Sequence, residues 1–345
     1  MAAMKTAVVL FNLGGPDRPE AIQPFLKNLF NDPAIIGLPW PLRPLLAEVI
    51  SRKREKQARE IYARIGGRSP LNEETAAQAN ALSAELGEDA RIFIAMRYWH
   101  PMVEDTVREV ADYGPDRIVL LPLYPQFSTT TTGSSFGEWH RCAARAGITA
   151  PTTALCCYPQ ETGLISGHAD LIAAALEKAG DAPVRVLFSA HGLPEKIVAA
   201  GDPYQWQIEQ TAAAVVERLA RPDLDWQVCY QSRVGPLKWI GPSTDDEIKR
   251  AGKEGKGVVV VPIAFVSEHS ETLVELDLEY GELAHKAGCA PYIRVPALGT
   301  QKAFIDGLAD HVRRLMENDA PVLGSHTGGR FCPSSWAKCP CMAHT

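Results

Sequence analysis

The sequence predicts an α/β protein of two doubly wound domains, each a parallel β-sheet flanked by helices, followed by a cysteine-containing tail. Three observations carry this. The strand-like runs are apolar throughout rather than alternating, the mark of strands buried on both faces of a parallel sheet. Helical stretches separate them, so the order reads βαβαβ twice. The 345 residues, 46% hydrophobic and 22% charged, are enough for two cores of ordinary globular composition.

In the first half the runs are Thr6–Asn12, Arg91–Met96, Arg117–Leu123 and Thr153–Cys157. In the second they are Val184–Ser189, Trp226–Gln231, Val258–Phe265 and Tyr292–Val295. Between them, Ser69 is placed to cap a helix with Pro70 at its first position, and Glu73 and Glu74 sit near the positive end of its dipole. Glu161–Ala179 and Thr211–Leu219 are amphipathic. The expected units are residues 1–170, 171–322 and a tail at 323–345, where Gly, Pro, Ser and Cys replace any helical period.

Several classes are disfavoured. A formal net charge of −6 argues against a nucleic-acid partner. No apolar run reaches the roughly 18 residues of a membrane span. The first residues lack a signal peptide's charged region and apolar core, so the expected address is the cytoplasm. Three of the eight cysteines (Cys332, Cys339 and Cys341) crowd into the tail. In a reducing compartment such a cluster is more often metal-binding than disulfide-bonded.

Ligands of open parallel sheets bind at the carboxyl ends of the strands, and that rule selects the candidate residues. His191, in SAHGLP, follows a buried strand; neutral imidazole there binds a divalent metal or accepts a proton. After the third strand of the second half, Glu268, Glu271, Glu275 and Glu279 are spaced three, four and four apart. On an α-helix they share one face, either a solvated acidic surface or a line of carboxylates that attracts a cation and carries protons. His269 with Glu271, and His191, occupy corresponding loops, and imidazole plus carboxylate is a reasonable set for Fe²⁺. The glycine turn Asn12–Pro16 is not GxGxxG, so a dinucleotide site is poorly supported. Arg97 and Tyr98 read as ordinary loop polar residues when taken alone. Residues 31–59 combine Ile35, Ile36, Leu38, Trp40 and Leu42 with Arg52, Lys53, Arg54 and Lys56, a pattern that by itself suits a helix with a core face.

FNLGGP (11–16), IGGRSPL (65–71), MRYWHP (96–101), LPLYPQFSTTTTGSS (121–135), FSAHGLP (188–194), YQSRVGPLKWIGPSTDD (230–246) and PIAFVSEHSETLVELDLEY (262–280) occur in that order. As an ordered set they resemble the ferrochelatase family over about Ala7 to Val312. The resemblance implies a class II chelatase fold of two Rossmann-like domains around a porphyrin. It implies insertion of Fe²⁺ into protoporphyrin IX, with coproporphyrin as the alternative substrate and a non-enzymatic haem- or metal-binding protein as the rival reading. His191 and Glu271 match the catalytic and Fe²⁺-handling positions, and Glu268, His269 and Glu275 a polar path. Leu13, Arg97, Tyr98, Trp239 and Phe265 match positions that line the porphyrin pocket; Leu13 stands where animal members carry Met.

The resemblance also places 31–59 at the lip of the pocket, where members meet the membrane, and so implies peripheral attachment to its inner face. Many members carry a [2Fe–2S] cluster on three C-terminal cysteines and one from the body. Here Thr129 stands where animal members supply that fourth thiol. Cys157 is the expected replacement, with Cys156 and Cys142 as alternatives.

Overall fold

The computed structural model describes residues 4–233, 237–317 and 323–341. The outer ends of the three expected units, at 1–3, 318–322 and 342–345, lie outside the described residues. The strands are β1 (Thr6–Asn12), β2 (Arg91–Met96), β3 (Arg117–Pro122), β4 (Thr152–Cys157), β5 (Val184–His191), β6 (Trp226–Gln231), β7 (Gly257–Pro262), β8 (Tyr292–Arg294) and β9 (Leu323–Ser325). They form two parallel sheets, ordered β2-β1-β3-β4-β9 and β6-β5-β7-β8.

The helices are α1 (Ile22–Phe30), α2 (Leu42–Ala63), α3 (Leu71–Leu86), α4 (Val103–Tyr113), α5 (Thr132–Arg145) and α6 (Thr162–Ala179). They continue as α7 (Glu195–Ala199), α8 (Tyr204–Leu219), α9 (Thr244–Lys253), α10 (Tyr280–Ala287) and α11 (Lys302–Met316). A π-helix, Glu271–Glu279, leads into α10.

The uninterrupted apolar runs are explained by helices on both faces. Val8 and Leu10 enter one core with Leu82 and Leu121, while Ala7, Val9 and Phe11 enter another with Val107 and Trp139. The second sheet repeats this, with Val259 and Val261 on one side and Val258 and Val260 on the other. Each such valine, leucine or phenylalanine contributes about 1.5–3 kcal/mol on burial. Two strands end earlier than their apolar runs suggest, at Pro122 and Pro262. β5 instead runs two residues further and includes His191. α8 starts at Tyr204 rather than Thr211, with Pro203 at its N-cap.

The chain also returns to the first sheet. Phe304, Ile305, Leu308, Val312 and Leu315 of α11 pack in the core that holds Val8 and Val119, although α11 lies within 171–322. β9 then pairs with β4 and brings the tail alongside the first sheet.

His168 of α6 is fully buried, and among the described residues neither ring nitrogen has a partner. Burial pushes its pKa down to about 4. The unfolded chain therefore binds a proton near pH 6.5 that the folded chain refuses until about pH 4. The associated stability is intact above pH 6.5 and falls as pH drops towards 4, by about 3 kcal/mol. A His168→Phe variant should flatten the acid limb of Tm against pH; an unaltered limb would show that His168 does not contribute to it.

Candidate active site

β5 ends on His191 and delivers its side chain to the carboxyl edge of the second sheet. The following turn has no room for a larger residue: a Cβ on Gly192 would lie 3.0 Å from the Gln231 carbonyl oxygen and 3.3 Å from the Trp239 ring. His191 Nδ1 lies 2.9 Å from Glu271 Oε2. Since a carboxylate accepts, Nδ1 carries the hydrogen and Nε2 is left as the free acceptor. Burial works against the imidazolium, but the Glu271 charge and hydrogen bond outweigh it, and the His191 pKa is raised. Burial likewise works against the Glu271 carboxylate, and His191 holds it ionised, well below the usual range.

Glu271 is the first residue of the π-helix, whose wider i→i+5 turn breaks the α-helical acidic stripe. Glu271 and Glu275 converge on Ser232, just past β6. Ser232 Oγ donates to Glu275 Oε2 at 2.5 Å and lies 3.3 Å from Glu271 Oε2, while its backbone N–H donates to Glu275 Oε1 at 2.8 Å. Ser232 adopts φ +59°, a left-handed conformation that non-glycine residues hold at a cost of about 1–3 kcal/mol. Burial, then the nearby Glu271 charge, raise the Glu275 pKa.

The ends of the stripe are engaged elsewhere. Glu268 accepts from Arg294 at 2.5 Å and from the Ala297 N–H. Glu279 pairs with Arg64 at the surface, at 3.2 Å. His269 Nδ1 donates to the Ser267 carbonyl, leaving Nε2 at 4.0 Å from Glu271 Oε2; burial lowers its pKa and keeps it neutral.

Four residues expected around a porphyrin are near strand ends. Trp239 packs on the Gly192 turn, and the two segments are joined by Ile240 N–H to Leu193 O. The Phe265 ring lies 4.6 Å from that of His269. Leu13 and Arg97 follow β1 and β2, joined by Arg97 N–H to Asn12 O. Arg97 is ion-paired with the buried Asp32 at 2.9 Å. Tyr98 differs: it is buried beneath the lip, and its hydroxyl donates to Asp32 at 2.7 Å. Ser134 also donates to Asp32. Tyr98 therefore anchors the lip rather than facing an open pocket.

A second assembly gathers five buried cysteines: Cys156 and Cys157 from β4, and Cys332, Cys339 and Cys341 from the tail. Neighbouring strand residues normally point to opposite faces, but the β4–β9 register shifts between Leu155 and Cys157 and turns both thiols inward. Cys156 Sγ lies 3.0 Å from Cys341 Sγ and 3.3 Å from Cys157 Sγ. The buried Gln207 amide of α8 donates to Cys157 and Cys332 Sγ, at 3.4 and 3.1 Å. Hydrogen bonds from Cys332 and Cys341 hold the Cys339 pKa well below the ordinary thiol range. Arg330 ties the tail loop by donating to the carbonyls of Cys332, Pro333, Trp336 and Cys341. Cys142 lies apart, in the core with Phe136 and Trp139. Thr129 donates its N–H and hydroxyl to Asp202, at 2.7 Å each. Among the described residues, no three His, Cys, Asp or Glu side chains are already spaced around a single metal ion.

Residues 5–316 match the ferrochelatase family profile. The chain belongs to the ferrochelatase family. With that family it is a metal-inserting lyase. It is 60% identical to the ferrochelatase of Caulobacter vibrioides (strain NA1000 / CB15N) over 98% of this chain and 97% of that one. It is 55% identical to the ferrochelatase of Phenylobacterium zucineum over 98% of each chain. The solved structure of SirB from Bacillus subtilis with Fe³⁺ superposes with a TM-score of 0.55 at 13% identity, covering 91% of this chain and 96% of that one. That likeness is one of fold alone: two parallel sheets flanked by helices.

Asp32 and the left-handed conformation of Ser232 were not legible in the sequence. Ser232 lies in a polar loop with nothing to flag a left-handed serine, and Asp32 lies in the lip, 66 residues from the Tyr98 hydroxyl it accepts from.

Proposed function

We propose that this chain inserts Fe²⁺ into protoporphyrin IX to give protohaem, with release of the two pyrrole protons. The observation that carries the proposal is the His191–Glu271 pair at the carboxyl edge of the second sheet, with no partner on the imidazole Nε2 among the described residues and the side chain 40% exposed. Nε2 accepts a pyrrole proton, and Glu271 neutralises the resulting imidazolium. The same pair and His269 offer Fe²⁺ imidazole nitrogen and carboxylate oxygen. Leu13, Trp239 and Phe265 supply apolar contact for the macrocycle, Arg97 a charge at its edge, and Glu275 with Glu268 the polar surroundings. Residues 1–170 and 171–322 are the units on either side of the ring, with α11 crossing back to the first. An anaerobic assay of Fe²⁺ insertion, with protoporphyrin IX and coproporphyrin side by side, tests this. Protoporphyrin IX should be the faster substrate. Faster coproporphyrin turnover would favour the alternative substrate, and haem binding without insertion the non-enzymatic reading.

The lip supports the less polar substrate. Trp40, Leu42, Leu45 and Val49 are 77, 56, 66 and 63% exposed, and the last three share one face of α2. Arg52, Lys53 and Lys56 are exposed nearby. Apolar groups beside cations suit peripheral attachment to the anionic inner face of a membrane. Among the described residues no helix is long and apolar enough to cross one. Replacing Trp40, Leu45 and Val49 with serine should weaken sedimentation with anionic vesicles at least about tenfold; unchanged binding would remove this role from the lip.

The five cysteines fit a [2Fe–2S] cluster, because four or more buried thiols converge where a closed site needs four. Cys332, Cys339 and Cys341 would hold it with Cys157, whose sulfur shares the Gln207 amide with Cys332. Bound there, the cluster supplies covalent cross-linking between the tail and the first sheet.

A further inference from the structure

Gln207 is a polar side chain in an apolar place. It lies near the start of α8, fully buried, beside the core in which Phe127, Trp206 and Trp336 pack with the five cysteines. Its amide oxygen accepts the Phe127 N–H at 2.7 Å, and its amide nitrogen donates to Cys157 Sγ at 3.4 Å and to Cys332 Sγ at 3.1 Å. These partners fix the orientation of the amide. Only its oxygen can accept the Phe127 N–H, so the NH₂ group must face the sulfurs. The same turn of α8 is held to the segment after β3 a second time, through Gln126 Nε2 to Thr211 Oγ1 at 3.0 Å.

Neutral thiols do not call for such a donor. A thiol sulfur is a weak acceptor, and methionine or leucine would fill this space in a purely structural core without a buried amide to satisfy. Thiolates do call for one, because a hydrogen bond to an ionised acceptor is roughly twice as strong as one between neutral partners. The Gln207 NH₂ group is directed at two of the sulfurs assigned above as cluster ligands, one from β4 and one from the tail.

We propose that Gln207 is the hydrogen-bond donor that sets the reduction potential of the iron–sulfur centre held by these cysteines. The proposal rests on the cluster reading given above and deepens it. A one-electron reductant converts one ferric iron of such a cluster to ferrous and adds one negative charge, which is shared with the ligating sulfurs. N–H bonds to those sulfurs stabilise the more negative, reduced form more than the oxidised one, and so raise the potential. The cysteines are buried, so the amide acts where little water competes for the sulfurs.

Gln207→Met keeps the length of the side chain and removes the N–H donors. Anaerobic redox titration with dithionite, followed by visible absorption, should give a more negative midpoint in the variant than in the wild type, at unchanged iron and acid-labile sulfide content. A second measurement reads the bond itself. Wild-type protein is prepared with glutamine carrying the heavy nitrogen isotope at its side-chain amide. Pulsed electron paramagnetic resonance of its reduced cluster should show a coupling to that nitrogen, and Gln207→Met should lose the coupling. An equal midpoint in a variant that keeps its cluster would overturn the proposal, as would a shifted midpoint with no such coupling in the wild type. If Gln207→Met fails to fold or to assemble a cluster, the labelled wild type decides, and absence of the coupling overturns the proposal. Wild-type protein without labile sulfide would instead overturn the cluster reading, which separates the two failures.

Discussion

His191→Ala should lose Fe²⁺ insertion by a factor of at least roughly a hundred while the protein stays folded, since a general acid–base group of this kind contributes about 10²–10⁴ in rate. The side chain is 40% exposed and packs no core, so its removal leaves β5 and its ladder to β6 and β7 intact. What disappears is the acceptor at Nε2 and the Nδ1–H donor to Glu271. Without the imidazole, Glu271 loses the interaction that keeps it ionised, and its pKa should rise. Porphyrin binding should persist, because Leu13, Trp239 and Phe265 are untouched. Steady-state insertion assays, with porphyrin binding followed by fluorescence quenching, check both halves. Turnover close to wild type in a folded His191→Ala protein would remove His191 from the chemistry.

The parts of this site that were legible in the sequence are those set by local pattern. β1 and β7 could be read because helices cover both faces of their sheets and every strand position is buried. His191 and Glu271 could be located because strand ends mark ligand sites in parallel sheets. The acidic stripe could not be read correctly, because equal spacing assumes an α-helix and the chain forms a π-helix there. The partners that dismantle the stripe, Arg64 for Glu279 and Arg294 for Glu268, are 215 and 26 residues away. Tyr98 was placed in the pocket by its motif, yet Asp32 draws its hydroxyl inward. Cysteine spacing located the tail thiols, but it could not show that an irregular β4–β9 pairing turns Cys156 and Cys157 the same way, nor that Gln207 reaches them from α8.

That convergence sets the second large effect. Anaerobically purified protein should be coloured and contain iron and acid-labile sulfide, and Cys339→Ser should lose both completely. Cys339 is one of the three tail thiols gathered in the buried sulfur cluster, and deprotonated thiols are the form that ligates iron. Cys142→Ser should keep the colour, because that thiol lies in a separate core beside Glu138 and Arg141. The two thiols of β4 are separable by the same measurement. If Cys157 completes the set, Cys157→Ser shifts or loses the visible bands and Cys156→Ser leaves them in place; the reverse pattern would assign Cys156, whose sulfur lies against Cys341. Loss of the cluster should also release the tail, now held to the first sheet by β9 and to the second half by Lys338 N–H to Gly201 O. Limited proteolysis should then cut near Arg330 in Cys339→Ser but not in the wild type. Colourless wild-type protein with no labile sulfide, yet fully active, would show that these five thiols serve only as a buried sulfur-rich core for the tail.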